Sequence, residues 1–324
     1  MKDLLNLKKI AAGLFFVLAF TACSDDDDDT AVPVVETNTI ADFVASNDDY
    51  SSLAAALEVT GLTSTLDGTQ NYTVFAPDND AFAAFLSDNG FSTLADVPVG
   101  VLTQVLLNHV QMGEIMAADL STGYIESMAT GSASEENLSM YISTENGVMI
   151  NGVATVTAAD IEVDNGIIHA VDEVIGLPSV VTFALADPTF DNLVAALTRE
   201  DDFTFVSTLM ETGSPAPFTV FAPTNDAFAA LLGELEMNSL SDIPKDVLAS
   251  VLSYHVVAGA NVRSSALTDD MEVSTLLGQS FTIDLDNGAM ITDANGRTAN
   301  IIVVDVQANN GVVHVLDTVL LPAM

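Results

Sequence analysis

The sequence YTVFAPDNDAFAAF at residues 72–85 recurs almost unchanged as FTVFAPTNDAFAAL at residues 218–231, which lie 146 positions later in the chain. Each copy begins with a short β-branched and aromatic run that predicts a strand, and a proline ends that run. The apolar spacing that follows predicts a helix. A stretch that is written twice indicates a folding unit that the chain contains twice, rather than a single active site.

The acidic residues of the first copy have two interpretations, a helix cap and a calcium loop. Asp78 or Asn79 is placed to cap the helix that begins at DAFAA. In the second copy the same positions are Thr224 and Asn225. An EF-hand needs glycine at its sixth position, where the first copy has Ala83. Because Thr224 has no carboxylate, the second copy favours the cap, and we predict no metal site.

Further segments recur in the same order, so the repeat covers nearly the whole chain. LAAAL matches LVAAL, VLTQVLLNHV matches VLASVLSYHV, and NGIIHAVDEVIGLP matches NGVVHVLDTVLLP. At about 140 residues, each copy has the size of an ordinary domain and is too long for a solenoid repeat. We predict one domain at residues 37–178 and a second at residues 180–323. The short connection between them should restrict their relative orientation.

Hydrophobic periodicity changes along each copy. Leu53, Ala56 and Leu57 recur at helical spacing, whereas residues 150–175 contain the alternation that is typical of strands. The Asn-Gly pair at residues 165–166 predicts a tight hairpin turn. Because helices gather early and strands late in each copy, the pattern favours an α+β fold over a regular βαβ arrangement.

The paired TVFAP boxes, the segments LLNHV and LSYHVVAG, and the pair NGIIHAVD and NGVVHVLD resemble the hallmark regions and the Tyr-His motif of fasciclin domains. The resemblance covers both copies from end to end. It implies that each copy is a β-sandwich or wedge flanked by helices, used outside the cell for adhesion and matrix interaction. Fasciclin domains are not known as enzymes as a class, so the resemblance implies no catalytic residue and no cofactor.

In animal fasciclin domains the Tyr-His segment is associated with integrin adhesion. Carried over by motif, this association identifies Tyr254 and His255 as candidate binding residues, with His109 at the matching position of the first copy. The first copy has Asn108 in place of the tyrosine, so only one of the two residues is carried over there.

All four histidines fall in matching positions, His109 with His255 and His169 with His314. Catalysis would need a nucleophile and an orienting acid, yet neither copy contains G-x-S-x-G, a cysteine nucleophile or H-E-x-x-H. His169 and His314 lie between apolar residues, which is typical of core histidines with a backbone partner. His109 and His255 end predicted helices, where the partial negative charge favours an imidazole donor. Structural anchoring is therefore the alternative to a binding role.

The charge balance excludes several classes of partner. The chain has 46 acidic and 7 basic residues, and three of the basic ones fall in the first ten positions. Such a surface repels phosphate, so we exclude nucleic acid and anionic lipid surfaces as partners. We interpret the acidity as a solvated surface, and weak binding of divalent cations is the alternative.

Residues 1–22 are organised like an export signal, in which lysines precede an apolar run at residues 10–20 that is too short for a stable membrane span. The sequence FTAC ends at Cys23, the only cysteine, and resembles the lipobox of bacterial lipoproteins, although Phe20 stands where leucine is commoner. The resemblance implies a lipid on the Cys23 sulfur, and a plain secretory peptide is the alternative. Residues 23–36 contain five consecutive aspartates and form an acidic tether, which resembles the export signal of surface lipoproteins in Bacteroidetes-type bacteria.

These features predict a lipid-anchored protein of the bacterial outer membrane that faces the outside of the cell. Its predicted function is adhesion, or non-covalent binding to cells, extracellular matrix or polysaccharide. The lipid anchor would be its only contact with the membrane. One alternative is a structural envelope protein that associates with itself. Another is a hydrolase or small-molecule binder with a site between the domains.

Overall fold

Each copy of the sequence repeat folds into helices and a seven-stranded mixed β-sheet. The computed structural model describes residues 38–286 and 288–323. The predicted signal peptide, Cys23 and the acidic tether lie outside the described residues. The combination of a mixed sheet with flanking helices in two tandem domains confirms the α+β prediction.

The first domain contains five α-helices and seven strands in its described part. The helices are α1 (Ile40–Ser46), α2 (Ser51–Thr60), α3 (Thr63–Leu66), α4 (Asn79–Asp88) and α5 (Val99–Leu107). The strands are β1 (Tyr72–Pro77), β2 (Val110–Met112), β3 (Gly123–Thr130), β4 (Asn137–Ser143), β5 (Met149–Ile150), β6 (Ala154–Val163) and β7 (Gly166–Val171).

The second domain repeats this series of elements. Its helices are α6 (Val180–Ala186), α7 (Asp191–Leu197), α8 (Phe205–Met210), α9 (Asn225–Glu234) and α10 (Lys245–Tyr254). Its strands are β8 (Phe218–Pro223), β9 (Val256–Ala258), β10 (Glu272–Ser274), β11 (Ser280–Asp284), β12 (Met290–Thr292), β13 (Thr298–Ala308) and β14 (Gly311–Leu316).

Both sheets have the same strand order. It runs β2-β1-β7-β6-β5-β4-β3 in the first domain and β9-β8-β14-β13-β12-β11-β10 in the second. The TVFAP strand is parallel to the last strand of its domain, β1 to β7 and β8 to β14, and the other neighbours are antiparallel. Every residue of these four strands is buried. The repeated box therefore forms an inner strand of each sheet.

The helix after each TVFAP strand is capped as the sequence predicts, and the structure selects one of the two candidate residues. Asp78 is the N-cap of α4 and its Oδ1 accepts from the Ala81 N–H at 2.8 Å. Thr224 caps α9 in the same way, at 3.3 Å. Asn79 instead holds the start of α2, because its Oδ1 accepts from the Ser52 N–H at 2.8 Å. A carboxylate and a hydroxyl thus do the same structural work in the two copies.

The Asn-Gly pair does not form the predicted turn. Val163 pairs with Gly166, so the two loop residues are Asp164 and Asn165, and Gly166 is already the first residue of β7. Gly166 has a φ of +151°, and a Cβ at this position would lie 2.0 Å from the Tyr72 carbonyl oxygen. Glycine is needed here because two backbones approach closely, and not because the hairpin needs a primed turn.

The side chain of Asn165 ties the end of the hairpin to the helices. Its Oδ1 accepts from the Ile40 N–H at 2.8 Å, and its Nδ2 donates to the carbonyls of Leu66 at 2.7 Å and Gly68 at 2.8 Å. Asn310 makes the three corresponding hydrogen bonds in the second domain. Because each amide is buried and fully used, it fixes the first and third helices of its domain against the sheet.

Hydrogen bonds cross between the domains. The Ser132 N–H donates to Asn309 Oδ1 at 2.9 Å and its hydroxyl donates to the Asn309 carbonyl at 2.8 Å. The Gln307 N–H donates to Ser139 Oγ at 3.0 Å in a buried contact. A Cβ on Gly131 would lie 2.6 Å from the Asn309 Cα, so the backbones touch. These contacts agree with the restricted orientation that the short connection predicts.

No single helix in residues 38–286 and 288–323 has the length and apolar composition to cross a membrane. The helices Val180–Ala186 and Pro188–Leu197 meet the two criteria only as a pair, across a bend of 97°. Among the same residues, no group of three or more His, Cys, Asp or Glu side chains is placed to hold a metal ion.

We expect Gly166→Ala to lower the free energy of unfolding by about 3 kcal/mol or more, because the new Cβ would collide with the Tyr72 carbonyl. Urea denaturation measures this change. Gly123→Ala is a matched control, since Gly123 has a similar φ of +146° but a Cβ added there would meet no atom within 4 Å. Equal losses of unfolding free energy in the two variants would mean that the close approach at Gly166 does not contribute to stability.

Candidate functional site

The predicted binding residues lie in the core. The exposed fraction of the residue is 0% for Tyr254, 4% for His255 and 2% for His109. Tyr254 ends α10, and its hydroxyl donates to the Ser280 carbonyl at 2.8 Å and accepts from the Ala294 N–H at 3.1 Å. The tyrosine therefore joins the helix end to the first residue of β11 and to the turn between β12 and β13.

His255 and His109 use both ring nitrogens in backbone hydrogen bonds. His109 Nδ1 contacts the Val105 carbonyl at 2.8 Å, and its Nε2 accepts from the Ile175 N–H at 2.8 Å. The carbonyl needs a donor, so the proton lies on Nδ1. His255 makes the same pair of bonds to the Val251 carbonyl and the Leu320 N–H. Each ring links the last turn of a helix to the segment after the last strand.

His169 and His314 have the opposite tautomer. His169 Nδ1 accepts from the Asp160 N–H at 3.2 Å, so its Nε2 is the donor to the Ile115 carbonyl at 3.0 Å. His314 bonds in the same way to the Asp305 N–H and the Val262 carbonyl. Both rings are fully buried, in agreement with the sequence interpretation of core histidines held by backbone partners.

Burial controls the charge of three of these rings. It lowers the pKa of His109 and of His255 to about 4, although hydrogen bonds to the Val105 and Val251 carbonyls oppose the shift. Burial also lowers the pKa of His314. These three rings are therefore neutral at pH 7.

Asn108, which stands where the second copy has Tyr254, is also buried. Its Nδ2 donates to the Gly176 carbonyl at 3.0 Å, and its Oδ1 accepts from the Ser127 hydroxyl at 3.0 Å. Both copies thus use this position to hold neighbouring segments. A binding role for Tyr254, His255 and His109 stays a prediction.

A buried tyrosine–aspartate cluster lies where the domains meet. The Tyr124 hydroxyl donates to Asp187 Oδ2 at 2.9 Å, and Asp187 has only 6% of its surface exposed. Burial, followed by the charge of Asp187 and a hydrogen bond to it, raises the pKa of Tyr141 to about 12. The same causes raise the pKa of Tyr124. The cluster is not visible in the sequence, because its members come from different copies.

A groove of about 750 Å³ opens on the first domain beside Thr182 of the second domain, and we call it the domain-1 groove. Its lining includes the apolar side chains of Phe85, Phe91, Val101 and Val153 and the polar side chains of Asp88, Asn151 and Glu173. Asn151 is 4% exposed, and its Oδ1 accepts from the Tyr141 N–H at 2.8 Å. Its buried Nδ2 has no hydrogen-bond partner among the described residues. The groove therefore combines carboxylates, aromatic rings and an unused amide donor.

We expect the free energy of unfolding to fall as the pH is lowered from 7 towards 4. The pKa of His109 and of His255 is about 4 in the folded chain, against an ordinary value of 6.5, so between these values the unfolded chain binds protons that the folded chain does not. Their stabilisation is complete above pH 6.5, and about 3 kcal/mol for each ring is lost on approach to pH 4. Urea denaturation across this range measures the loss.

The double variant His109→Gln, His255→Gln should be less stable at pH 7 and should show a weaker pH dependence than the parent. The parent and the variant share their other titratable groups. The difference between the two curves therefore isolates the histidines. Identical curves would contradict the assignment of this pH dependence to the two rings.

Known proteins share the sequence pattern and the fold of this chain, and they identify its family. The family model described as Fasciclin domain matches residues 48–178 and 188–322. A protein of Synechocystis sp. is 40% identical over 146 residues, which cover 45% of this chain and 74% of that protein. Transforming growth factor-beta-induced protein ig-h3 of Sus scrofa is 27% identical over 259 residues, which cover 79% of this chain and 35% of that protein.

The solved structure of a FAS1 domain pair from the insect cell adhesion molecule Fasciclin I superposes with a TM-score of 0.52. The match covers 83% of this chain and 97% of that chain at 20% sequence identity, so it bears on the fold alone. Both copies of the repeat match the family, and the paired arrangement has a solved counterpart. The chain therefore belongs to the fasciclin-domain family and carries two fasciclin domains in tandem.

Proposed function

We propose that the two fasciclin domains act together as a non-enzymatic binding unit that mediates adhesion to cells, extracellular matrix or polysaccharide. The observation that carries this proposal is the contact between the domains. Ser132 binds Asn309, Ser139 accepts from Gln307, and Tyr124 donates to a buried carboxylate of the second domain. Two similar domains held in one orientation present two surfaces together, which raises avidity when both engage the same partner.

Family membership supports the proposal. Fasciclin I is described as a cell adhesion molecule, and its domain pair shares the fold of this chain. The excess of acidic residues favours partners without exposed phosphate. Extracellular proteins and polysaccharides meet this condition, whereas nucleic acids do not.

The predicted binding residues Tyr254, His255 and His109 need a separate proposal, because their side chains are buried. We propose that they support binding indirectly, by holding the helix ends and the strands that follow in place. This proposal retains the anchoring role that the sequence offers as the alternative.

We further propose that the chain is anchored through a lipid on Cys23 to the outer membrane and faces the cell exterior. In this proposal residues 1–22 are removed and residues 23–36 form the tether. The domains span residues 37–178 and 180–323. The support is the sequence pattern before and after the cysteine.

A soluble form that begins at Ser24 should be retained on intact cells or on specific members of a glycan array. Gly131→Val should lower this retention at least tenfold, because its side chain would meet Asn309 and separate the domains. Gly213→Val is the control, since a Cβ there meets no atom within 4 Å. Sedimentation analysis tests the alternative. Self-association without retention on any cell or glycan would overturn the adhesion proposal.

Cys23→Ala should release the full-length protein from the membrane fraction into the soluble fraction. The physical reason is that the variant lacks the sulfur that carries the acyl chains, which would hold the protein stably on the bilayer. Membrane retention equal to that of the parent would contradict lipidation. Protease added to intact cells tests surface exposure, and full protection until lysis would contradict an outward-facing location.

A further inference from the structure

We propose that the domain-1 groove binds an arginine side chain that a partner protein presents on a basic segment. The inference rests on the proposed binding function and names the site and the chemistry of the partner. It depends on three observations. They are the arginine that occupies the equivalent place in the second domain, the lack of lysine and arginine in the first domain, and the unpartnered side-chain amide of Asn151.

In the second domain the chain supplies its own arginine at this place. Arg297 lies in the turn between β12 and β13, and its Nη2 donates to Glu234 Oε2 at 2.7 Å. Its Nη1 donates to the Val319 carbonyl at 2.9 Å and lies 3.8 Å from Asp293 Oδ2. The guanidinium thus joins the end of α9, the turn and the segment after β14.

The corresponding parts of the first domain line the open groove. Asp88 ends α4 as Glu234 ends α9, and Val174 follows β7 by the same number of residues as Val319 follows β14. The turn between β5 and β6 is shorter and contains Val153 in place of an arginine. The first domain therefore keeps a carboxylate and a carbonyl like those that hold the guanidinium, without the guanidinium itself.

Charge favours a cation from outside the domain. Residues 38–178 contain no lysine or arginine. The four basic side chains of the described part all lie in the second domain, where each has an acidic partner. No described residue forms a salt bridge with Asp88 or Glu173, which line the domain-1 groove. A guanidinium would pair with these carboxylates by charge-assisted hydrogen bonds.

The remaining lining fits the rest of an arginine residue. Phe85 and Phe91 line the groove with aromatic rings, which attract a guanidinium, and Val101 and Val153 offer apolar surface for its aliphatic stem. The buried Asn151 Nδ2 has no acceptor among the described residues, which leaves an unused hydrogen-bond donor beside the groove. A polysaccharide would also use aromatic rings and carboxylates. The second domain holds an arginine at the equivalent place, and this favours a guanidinium over a sugar as the ligand. We therefore favour the protein partner.

The test uses the full-length chain and the peptide Ac-Gly-Gly-Arg-Gly-Gly-NH2 as the probe, with isothermal titration calorimetry at low salt as the measurement. The same peptide with citrulline in place of arginine is a neutral control of similar shape. We expect the arginine peptide to bind at least tenfold more tightly than the citrulline peptide. The double variant Asp88→Asn, Glu173→Gln should weaken arginine binding at least fivefold.

Two further variants distinguish the groove from general electrostatics. Glu58→Gln, Glu114→Gln removes the same charge from exposed positions outside the groove lining and should leave the affinity within twofold. Val153→Arg should supply an internal guanidinium, as Arg297 does in the second domain, and abolish peptide binding. Circular dichroism at increasing temperature verifies that each variant is folded.

Equal weakening by the two double variants would overturn the inference, as would equal affinity for the citrulline peptide or displacement of the probe by a neutral polysaccharide. The binding function is tested separately by retention on cells and glycans. Retention of the parent chain on cells or glycans, without binding of the arginine peptide to that chain, would overturn the groove assignment and leave the adhesion proposal standing. Binding of the arginine peptide in the groove, without any retention on cells or glycans, would overturn the adhesion proposal and leave the groove assignment standing.

Discussion

The close approach of Gly166 to the Tyr72 carbonyl is the constraint on which each domain depends, and Gly311 and Phe218 reproduce it. The absence of a Cβ allows the TVFAP strand to lie parallel and in register with the last strand of the domain. Side chains alternate along a strand, so a slip of one residue would turn every core side chain to the wrong face. The neighbouring Asn165 then fixes the first and third helices to the same point.

Strong local patterns were sufficient to predict much of the fold. TVFAP, its proline and the capped helix were predicted because each has its own local cause, and Leu53, Ala56 and Leu57 face the core as their spacing indicates. The Asn-Gly turn was displaced by one residue, because tertiary packing and not hairpin geometry requires the glycine. A pattern of residues shows that a glycine is present, but not which backbone approaches it.

The interface and the groove could not be predicted in the same way. Tyr124 and Asp187 lie in different copies, and their contact depends on how the two domains pack. Asn151 and Arg297 lie in turns of different length, so an alignment of the copies does not place them at equivalent positions. Comparison of the two copies is informative in a different way. Asp78 and Thr224 are different residue types that cap the corresponding helix of each copy, so their role is structural. Arg297, by contrast, has no basic counterpart in the first domain.

Two adjacent asparagines in the last hairpin have different partners. Asn310 closes the second domain on itself, whereas Asn309 holds Ser132 of the first domain, 177 residues earlier in the chain. The two amides belong to one short piece of backbone, so neither set of hydrogen bonds survives if that piece loses its conformation. The free energies of the two domains are therefore coupled, and they do not add as those of independent domains would. A change that disturbs this hairpin would therefore also make the unfolding of the two domains less cooperative.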